Sequence, residues 1–423
     1  MPDRTPSLTP ARQTEIYLAG ARGVRPRVPV SAEELERAAQ HAMSREAFAY
    51  TAGGAGSEST MRANRAAFDR WRIVPRVLRD VSVRDTTVEL FGRRLAAPII
   101  LSPIGVLELM HPDADVAVAR AAASLAVPMV FSNQASVPME ACAAAMGDAP
   151  RWFQLYWSRD DELVESLVHR AERCGCDAIV VTLDTTLLGW RTRDLDLGHL
   201  PFLLGKGIAQ YTSDPVFMRK LHEPLDGPAP ARGRITLSAL RTALAMARAV
   251  PGGTLRNLRS GDALAAVRRF IATYSRTTLT WADLPFLRQH TRLPIVLKGV
   301  LHPDDARRAI DAGMDGVMVS THGGRQVDGS IAALDALPAI VDAVAGRVPV
   351  LFDSGVRGGA DVFRALALGA RAAGIGRPYA YGLALGGEAG VREVLGNIMA
   401  ELELTMALAG CASLADIGRD ALL

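Results

Sequence analysis

Cysteine is scarce in this chain of 423 residues. Cys142, Cys174, Cys176 and Cys411 are too few and too irregular for a disulfide framework, and Cys174-Gly-Cys176 lacks the spacing of a zinc or redox pair. They read as small core residues in a reducing, cytoplasmic setting, and no metal site is expected. Missing too is any uninterrupted apolar run of about 18 residues, which argues against a spanning helix. The first 30 residues are rich in Arg and Pro and contain no apolar stretch of the kind a secretory signal requires. No internal repeat or low-complexity tract stands out. A formal net charge of only +3 argues against a nucleic-acid binder, which would carry a concentrated basic face.

That charge is unevenly spread. Between Trp190 and Thr280 there are 14 Lys and Arg against 6 Asp and Glu, so this region is strongly basic while the remainder is mildly acidic. With 49% hydrophobic and 22% charged residues there is ample material for a core. From about residue 97 onward, short β-branched apolar runs recur, most followed by an amphipathic stretch, as in parallel strands joined by crossover helices. Eight runs are countable: Ala97 to Pro103, Val127 to Ser132, Trp152 to Tyr156, Asp177 to Leu183, Pro294 to Lys298, Asp315 to Ser320, Val348 to Asp353, and Ala372 to Gly376. Strands apolar on both sides predict a closed (β/α)8 TIM barrel, with an open doubly wound sheet as the alternative. Between the runs, Asp161 to Arg173 and Pro303 to Ala312 read as helices, the second with acidic residues in its first turn.

The whole chain is expected to form a single domain. Residues 1–30 read as a flexible arm and 31–96 as N-terminal helices followed by a hairpin, Asp85 to Leu95, that plugs the barrel floor. Residues 97–380 hold the barrel strands, and 381–423 are helical. The basic insert, 190–280, separates the fourth and fifth runs. Active sites of such barrels lie on the loops after the strands, so this insert is expected to form a lid over the mouth.

The C-terminal ends of the runs deliver a coherent set of side chains: Tyr156 after the third; Thr182 and Asp184 after the fourth; Lys298 after the fifth; Ser320, His322 and Arg325 after the sixth. The last two loops, Asp353-Ser-Gly-Val-Arg357 and Gly374-Ile-Gly-Arg-Pro378, bring amides and guanidiniums to where barrels commonly hold a phosphate, which points to a phosphorylated cofactor. His322 suits a general base, and Arg325, three residues later on the same glycine-rich loop, suits a bidentate grip on a carboxylate. The other histidines, His111 and His302 among them, read as structural. Asp184 leaves an apolar strand, so it needs a cationic partner, and His322 once protonated would be one. Lys298 fits either a Schiff-base lysine of an aldolase-type lyase or a cation set against an anionic cofactor.

These residues, in this order, resemble the FMN-dependent 2-hydroxy-acid oxidase and dehydrogenase family from about residue 28 onward, and within it the lactate 2-monooxygenase branch. The resemblance is carried by Tyr50-Thr-Ala-Gly-Gly-Ala-Gly56, Pro103-Ile-Gly-Val106, Phe153-Gln-Leu-Tyr156, Gly189-Trp-Arg-Thr-Arg-Asp194, Tyr211-Thr-Ser-Asp-Pro-Val-Phe217, His302-Pro-Asp-Asp-Ala-Arg-Arg308 and Leu351-Phe-Asp-Ser-Gly355. It implies FMN held by the backbone of Pro103, Ile104 and Gly105, by Ser132, Gln154 and Thr182, and by Lys298 and Ser320. Asp353 and Ser354 would face the ribityl chain, with Gly355, Arg357, Gly376 and Arg377 around the phosphate. It further implies Tyr50, Arg191 and Arg325 on the substrate carboxylate, Tyr156 on the hydroxyl, and His322 with Asp184 as the catalytic pair.

The implied partners are a small 2-hydroxy acid and O2, in a homo-oligomer of four or more copies, with decarboxylation as the lactate 2-monooxygenase variant. Gly105, small where bulk would crowd the flavin, favours reaction with oxygen over the dehydrogenase alternative. Two positions depart from the family pattern: Thr321 stands where Asn is common, and Gln134 where an aromatic or aliphatic residue often covers the substrate. Some relatives use the long insert to attach to membrane, and Thr236 to Val250, with Leu237, Leu240, Leu244 and Ala245 beside Arg241 and Arg248, has the make-up of an interfacial helix. A solvated lid helix or oligomer contact is the favoured reading of that segment.

Overall fold

The computed structural model describes residues 8–225 and 236–423, and of the first three residues and of Leu237 and Ser238 it describes only the backbone. The first seven residues of the expected arm, residues 226–235 of the expected lid and the Leu237 side chain lie outside the described residues.

Each of the eight runs marks a strand, the third of them beginning one residue before its run. A two-stranded antiparallel hairpin comes first, β1 (Val88–Leu90) and β2 (Arg93–Leu95). The barrel strands follow: β3 (Ile99–Leu101), β4 (Met129–Phe131), β5 (Arg151–Leu155), β6 (Ile179–Thr182), β7 (Ile295–Lys298), β8 (Gly316–Val319), β9 (Val350–Phe352) and β10 (Ala372–Ile375). They close in the order β10-β3-β4-β5-β6-β7-β8-β9, with every barrel pairing parallel, so the open sheet is excluded. Every residue of these strands is buried. That is why they appear as continuous apolar runs without alternation.

Two cores result. The inward side chains Ile100, Val130, Trp152, Val180, Val296, Met318 and Leu351 cluster with Val88, Leu90 and Leu95 of the hairpin, which therefore packs into the barrel interior. Phe91 at the hairpin tip meets Trp152 edge to face, with ring centroids 5.3 Å apart. Outward side chains pack against the surrounding helices; in Asp161–Arg173 the buried face comprises Leu163, Val164, Leu167, Val168, Arg170 and Ala171.

The amino-terminal segment departs from the expected arm: Leu8–Ala21 is helical and lies against the long C-terminal helix, where Arg12 Nε donates to Asn397 Oδ1 at 2.8 Å. Its periodicity is weak and it buries little, so no apolar stripe advertises it. The insert forms several short helices, of which Leu237–Ala249 buries Met246 and Ala247 beneath it while Leu240 stays exposed. Among the described residues, no helix is long and apolar enough to cross a membrane. His302 caps the helix Pro303–Asp311 by accepting from the Asp304 amide, and His111 Nδ1 accepts from the Asp113 amide.

The last helical stretch, Arg377–Ala409, breaks at Gly386 and Gly387, the latter at φ +56°. The two halves meet in backbone contact: a Cβ on Gly390 would lie 2.0 Å from the Gly382 carbonyl oxygen. Gly390→Ala is expected to cost about 1–3 kcal/mol through overpacking. Gly396→Ala, where an added Cβ meets nothing within 4 Å, should be neutral or slightly stabilising. Denaturant unfolding of the two variants tests this, and equal midpoints would disprove it.

Candidate active site

One cavity of about 330 Å³ is sunk into the C-terminal end of the barrel. Its wall is built from the residues that follow the strands: Pro103, Ile104 and Gly105 after β3, Ser132 after β4, Tyr156 after β5, His322 and Arg325 after β8, Asp353 to Arg357 after β9, and Gly376 and Arg377 after β10. Gln154 and Lys298 reach it from within β5 and β7, Tyr50 from the N-terminal helix Arg45–Ala52, and Arg191 from the insert. Asp184, Thr182 and Ser320, although expected at the site, do not line the cavity. Each stands behind a residue that does.

Asp184 supports His322. Its Oδ1 lies 2.8 Å from His322 Nδ1, and Thr185 Oγ1 lies 2.9 Å from the same carboxylate oxygen and 3.1 Å from the imidazole nitrogen. Burial alone would raise the Asp184 pKa, but His322 and Lys298 outweigh it and hold the carboxyl at about 2. For His322 burial wins: its pKa is lowered although Asp184 pulls it upward, so the resting imidazole is neutral near pH 7. With Nδ1 engaged by Asp184, Nε2 is the nitrogen left for the cavity. The loop that presents it is held in an uncommon conformation, His322 at φ +55°, and so is Ser354, at φ +86°, on the neighbouring loop after β9. Ser354 Oγ secures it by accepting from the Thr321 and Gly323 amides, both at 3.1 Å.

Ser320 and Thr182 spend their hydroxyls on the protein. Ser320 Oγ accepts from Lys298 Nζ at 2.7 Å and from the His322 amide at 3.0 Å, and Thr182 Oγ1 accepts from Gln154 Nε2 at 3.0 Å. Gln154 Oε1 in turn receives Ser132 Oγ and the Asn133 amide, both at 3.2 Å. Lys298 also lies 3.3 Å from Asp353, whose other contacts are Ser102 at 3.0 Å and Ser354 at 2.9 Å. Burial disfavours the Lys298 ammonium, yet Asp353 and Asp184 more than compensate and raise its pKa. It is a fixed cation.

The cavity has a charge imbalance. Among the described residues, Arg191, Lys298, Arg325, Arg357 and Arg377 line it against the single carboxylate of Asp353. Burial, with Arg191 nearby, lowers the Arg325 pKa to about 9, and burial with Arg357 nearby lowers that of Arg377 to about 10. Arg325 is aimed by the carbonyls of Tyr50 and Gly53, which accept from its Nη1 at 2.5 and 2.8 Å, and its guanidinium stands 5.1 Å from the Tyr50 ring centroid. Arg377 is held by the Thr51, Gly53 and Gly323 carbonyls at 2.9–3.2 Å. Guanidiniums held mainly by neutral carbonyls call for anions, and Arg325 with Arg191 and Arg377 with Arg357 supply two adjoining pairs that meet at the Gly53 carbonyl.

The model of FMN-dependent dehydrogenases matches residues 39–423. The chain belongs to that family. It is 44% identical over 409 residues to the FMN-dependent alpha-hydroxy acid dehydrogenase qulF of Penicillium citrinum, covering 96% of this chain and 94% of that protein. It is 41% identical over 386 residues to an L-lactate oxidase of Lysinibacillus sphaericus, covering 91% and 90%. Among solved structures, mandelate oxidase with (S)-4-hydroxymandelic acid superposes with a TM-score of 0.76 at 38% identity, covering 93% of this chain and 98% of that one. The protein is thus an FMN-dependent enzyme that oxidises 2-hydroxy acids.

The cavity fits that cofactor. A Cβ on Gly376 would meet no protein atom within 4 Å, so protein packing does not demand glycine there; the open space is cavity, beside Arg377 and close to Arg357. The Arg357 guanidinium, also lowered in pKa chiefly by burial, donates among the described residues only to the neighbouring Val356 carbonyl, at 3.1 Å, and suits a phosphate. Arg357→Met is expected to weaken FMN binding about 10- to 150-fold, the loss of a charge-assisted hydrogen bond or two. Titration of the stripped protein with FMN measures it, and unchanged affinity would remove Arg357 from the phosphate site.

Gly105 is constrained by more than a cofactor, since a Cβ there would come 3.0 Å from the Gln134 carbonyl oxygen. Residues absent from the sequence-based list also reach the site. Ser102 anchors Asp353, Thr185 bridges Asp184 and His322, and Phe202, Phe270 and Tyr274 of the insert line the cavity. A serine at the end of the first strand run and a threonine next to Asp184 were visible signals. The aromatics of the insert carried none, because their approach to the site depends on how several short helices fold together.

Proposed function

We propose that the protein is an oxidase of an L-2-hydroxy acid with an apolar side chain, lactate or a larger homologue, using O2 as electron acceptor. Its most concrete form is the lactate 2-monooxygenase reaction, in which oxidation is followed by decarboxylation to acetate. The observation that carries the reading is the His322–Asp184 pair at 2.8 Å, with His322 and Arg325 lining one cavity beside a buried, charged Lys298.

Arg325, with Tyr50 and Arg191 beside it, would grip the substrate carboxylate, and Tyr156 would meet the hydroxyl. His322 would take the substrate proton on Nε2, and Asp184 would stabilise the imidazolium so formed. FMN supplies the two-electron acceptor when bound. Pro103 to Gly105, Ser132, Gln154 and Asp353 would hold it, Gly355, Arg357, Gly376 and Arg377 would surround its phosphate, and Thr182 and Ser320 would act through Gln154 and Lys298. Lys298 would set positive charge where negative charge accumulates. A protonated, ion-paired lysine is a poor amine nucleophile, which disfavours the Schiff-base alternative.

Leu188, Leu200, Phe202, Phe270 and Tyr274 offer apolar surface from the lid side, which supports an apolar substrate side chain, while Gln134 adds a polar amide to the same cavity. Oxygen as acceptor is supported by Gly105 and by the relatives named as oxidases. Assembly as a tetramer or larger homo-oligomer and a cytoplasmic location complete the proposal.

The decisive experiment mixes the yellow holoenzyme anaerobically with a panel of 2-hydroxy acids, identifies those that bleach the flavin, then admits O2. Rapid recolouring with oxo acid and peroxide marks the oxidase, and acetate with carbon dioxide from lactate marks the monooxygenase. Bleached enzyme that stays bleached in air would overturn the oxygen assignment, and a panel in which nothing bleaches would overturn the substrate class.

A further inference from the structure

Away from the cavity, three side chains with metal-ligating atoms converge on the outside of the barrel. Glu165 and His169 stand one turn apart on the helix Asp161–Arg173, and His290 ends the helix Leu284–His290 that leads into β7. Their ligand atoms all lie within 4.8 Å of one another. Glu165 Oε1 is 3.9 Å from His169 Nδ1 and 3.5 Å from His290 Nδ1.

Both separations exceed a normal hydrogen bond, and both imidazoles bring Nδ1 to the same carboxylate oxygen. They are close to the edge of a metal tetrahedron: ligands at 2.0–2.2 Å from zinc stand about 3.4 Å apart. The trio is partly sheltered, with side-chain exposures of 40% for Glu165, 39% for His169 and 25% for His290. His290 is further fixed by the Phe286 ring, 4.4 Å away between centroids. The supporting helix is anchored next to the site, where Glu172 accepts from Thr291 Oγ1 at 2.5 Å and from the Arg292 amide at 3.2 Å. Little rearrangement is needed to close the three ligands on an ion.

We propose that Glu165, His169 and His290 form a binding site for a divalent transition-metal ion, Zn2+ foremost, with water completing the coordination. Two imidazoles and one carboxylate favour Zn2+, Cu2+ or Ni2+ over Ca2+ and Mg2+, which take oxygen ligands. The ion would tie the crossover helix between β5 and β6 to the helix that returns the chain from the insert to β7, the strand bearing Lys298. Its place is structural, since none of its ligands lines the cavity.

The test uses the full-length holoenzyme with FMN bound, treated with chelator, desalted and titrated with Zn2+ by calorimetry, together with thermal unfolding with and without the metal. One Zn2+ per chain and a higher melting temperature are expected for the wild type. The same is expected for His222→Ala, which removes an exposed histidine paired with Asp262 elsewhere on the surface. His169→Ala, His290→Ala and Glu165→Gln should each lose that ion and the stabilisation while retaining their FMN. Absence of Zn2+ binding by the wild type would overturn the proposal, and so would unchanged stoichiometry in the double variant His169→Ala/His290→Ala, which would place the ion on other groups such as the free thiols.

Discussion

Replacing His322 with alanine is expected to lower kcat by about 10²–10⁴-fold, the range a positioned general base contributes, while the protein stays yellow. The expectation rests on the orientation of the ring. Nδ1 is committed to Asp184 at 2.8 Å, so Nε2 is the nitrogen left for the cavity, and His322 is not among the residues that would surround the cofactor phosphate. A pH profile separates a base from a mere contact. The base must be neutral to work, so turnover falls as pH drops through the His322 pKa, which burial has moved below its ordinary value. The acidic limb of kcat/KM should therefore lie below about pH 6.5. In Asp184→Asn the carboxylate that raised that pKa is gone, so the limb should move to still lower pH even as kcat falls, because the imidazolium has lost its partner. A limb that stays in place in Asp184→Asn, or normal turnover in His322→Ala, would remove this pair from the chemistry.

How much of this was legible beforehand follows from where the physical signal lies in the chain. The eight strands could be read because each is buried on both sides and leaves a largely apolar run, although the strands are only 3–5 residues long and most are shorter than their runs. Residues at the strand ends could be read because barrel geometry places them together whatever lies between. The same rule overreached at Ser320 and Thr182: both are at strand ends, yet their hydroxyls point into the wall, where they hold Lys298 and Gln154. Direction around a strand end depends on one residue of register, which an apolar run does not fix. The helix Leu8–Ala21 and the lid aromatics were illegible for another reason. Their positions depend on contacts between separate elements, hundreds of residues apart for Arg12 with Asn397 and across the short helices of the insert for Phe202 with Phe270, and no local periodicity encodes such contacts.

Arg325→Met should produce the second large loss, a fall in kcat/KM of about 30- to 5,000-fold, equivalent to the 2–5 kcal/mol typical of removing one member of a buried charge pair. The guanidinium is partly buried, and its pKa is lowered to about 9 by that burial and by Arg191, so it is destabilised until an anion arrives. A substrate carboxylate relieves that state, and binding free energy is the consequence. Arg325→Lys keeps the charge but not the planar fork, and should recover only part of the loss. The two carbonyls that orient Arg325, from Tyr50 and Gly53, are left without this donor in the methionine variant, so a structural disturbance has to be distinguished from lost recognition. Inhibition by a simple dicarboxylate such as oxalate does this, because it reads the carboxylate site without turnover. Oxalate affinity should fall in parallel with kcat/KM in Arg325→Met and recover partly in Arg325→Lys, with FMN retained in both. If oxalate binds the methionine variant as tightly as the wild type, the carboxylate grip belongs to Arg191 and Tyr50, and Arg325 serves chiefly to brace the loop that carries His322.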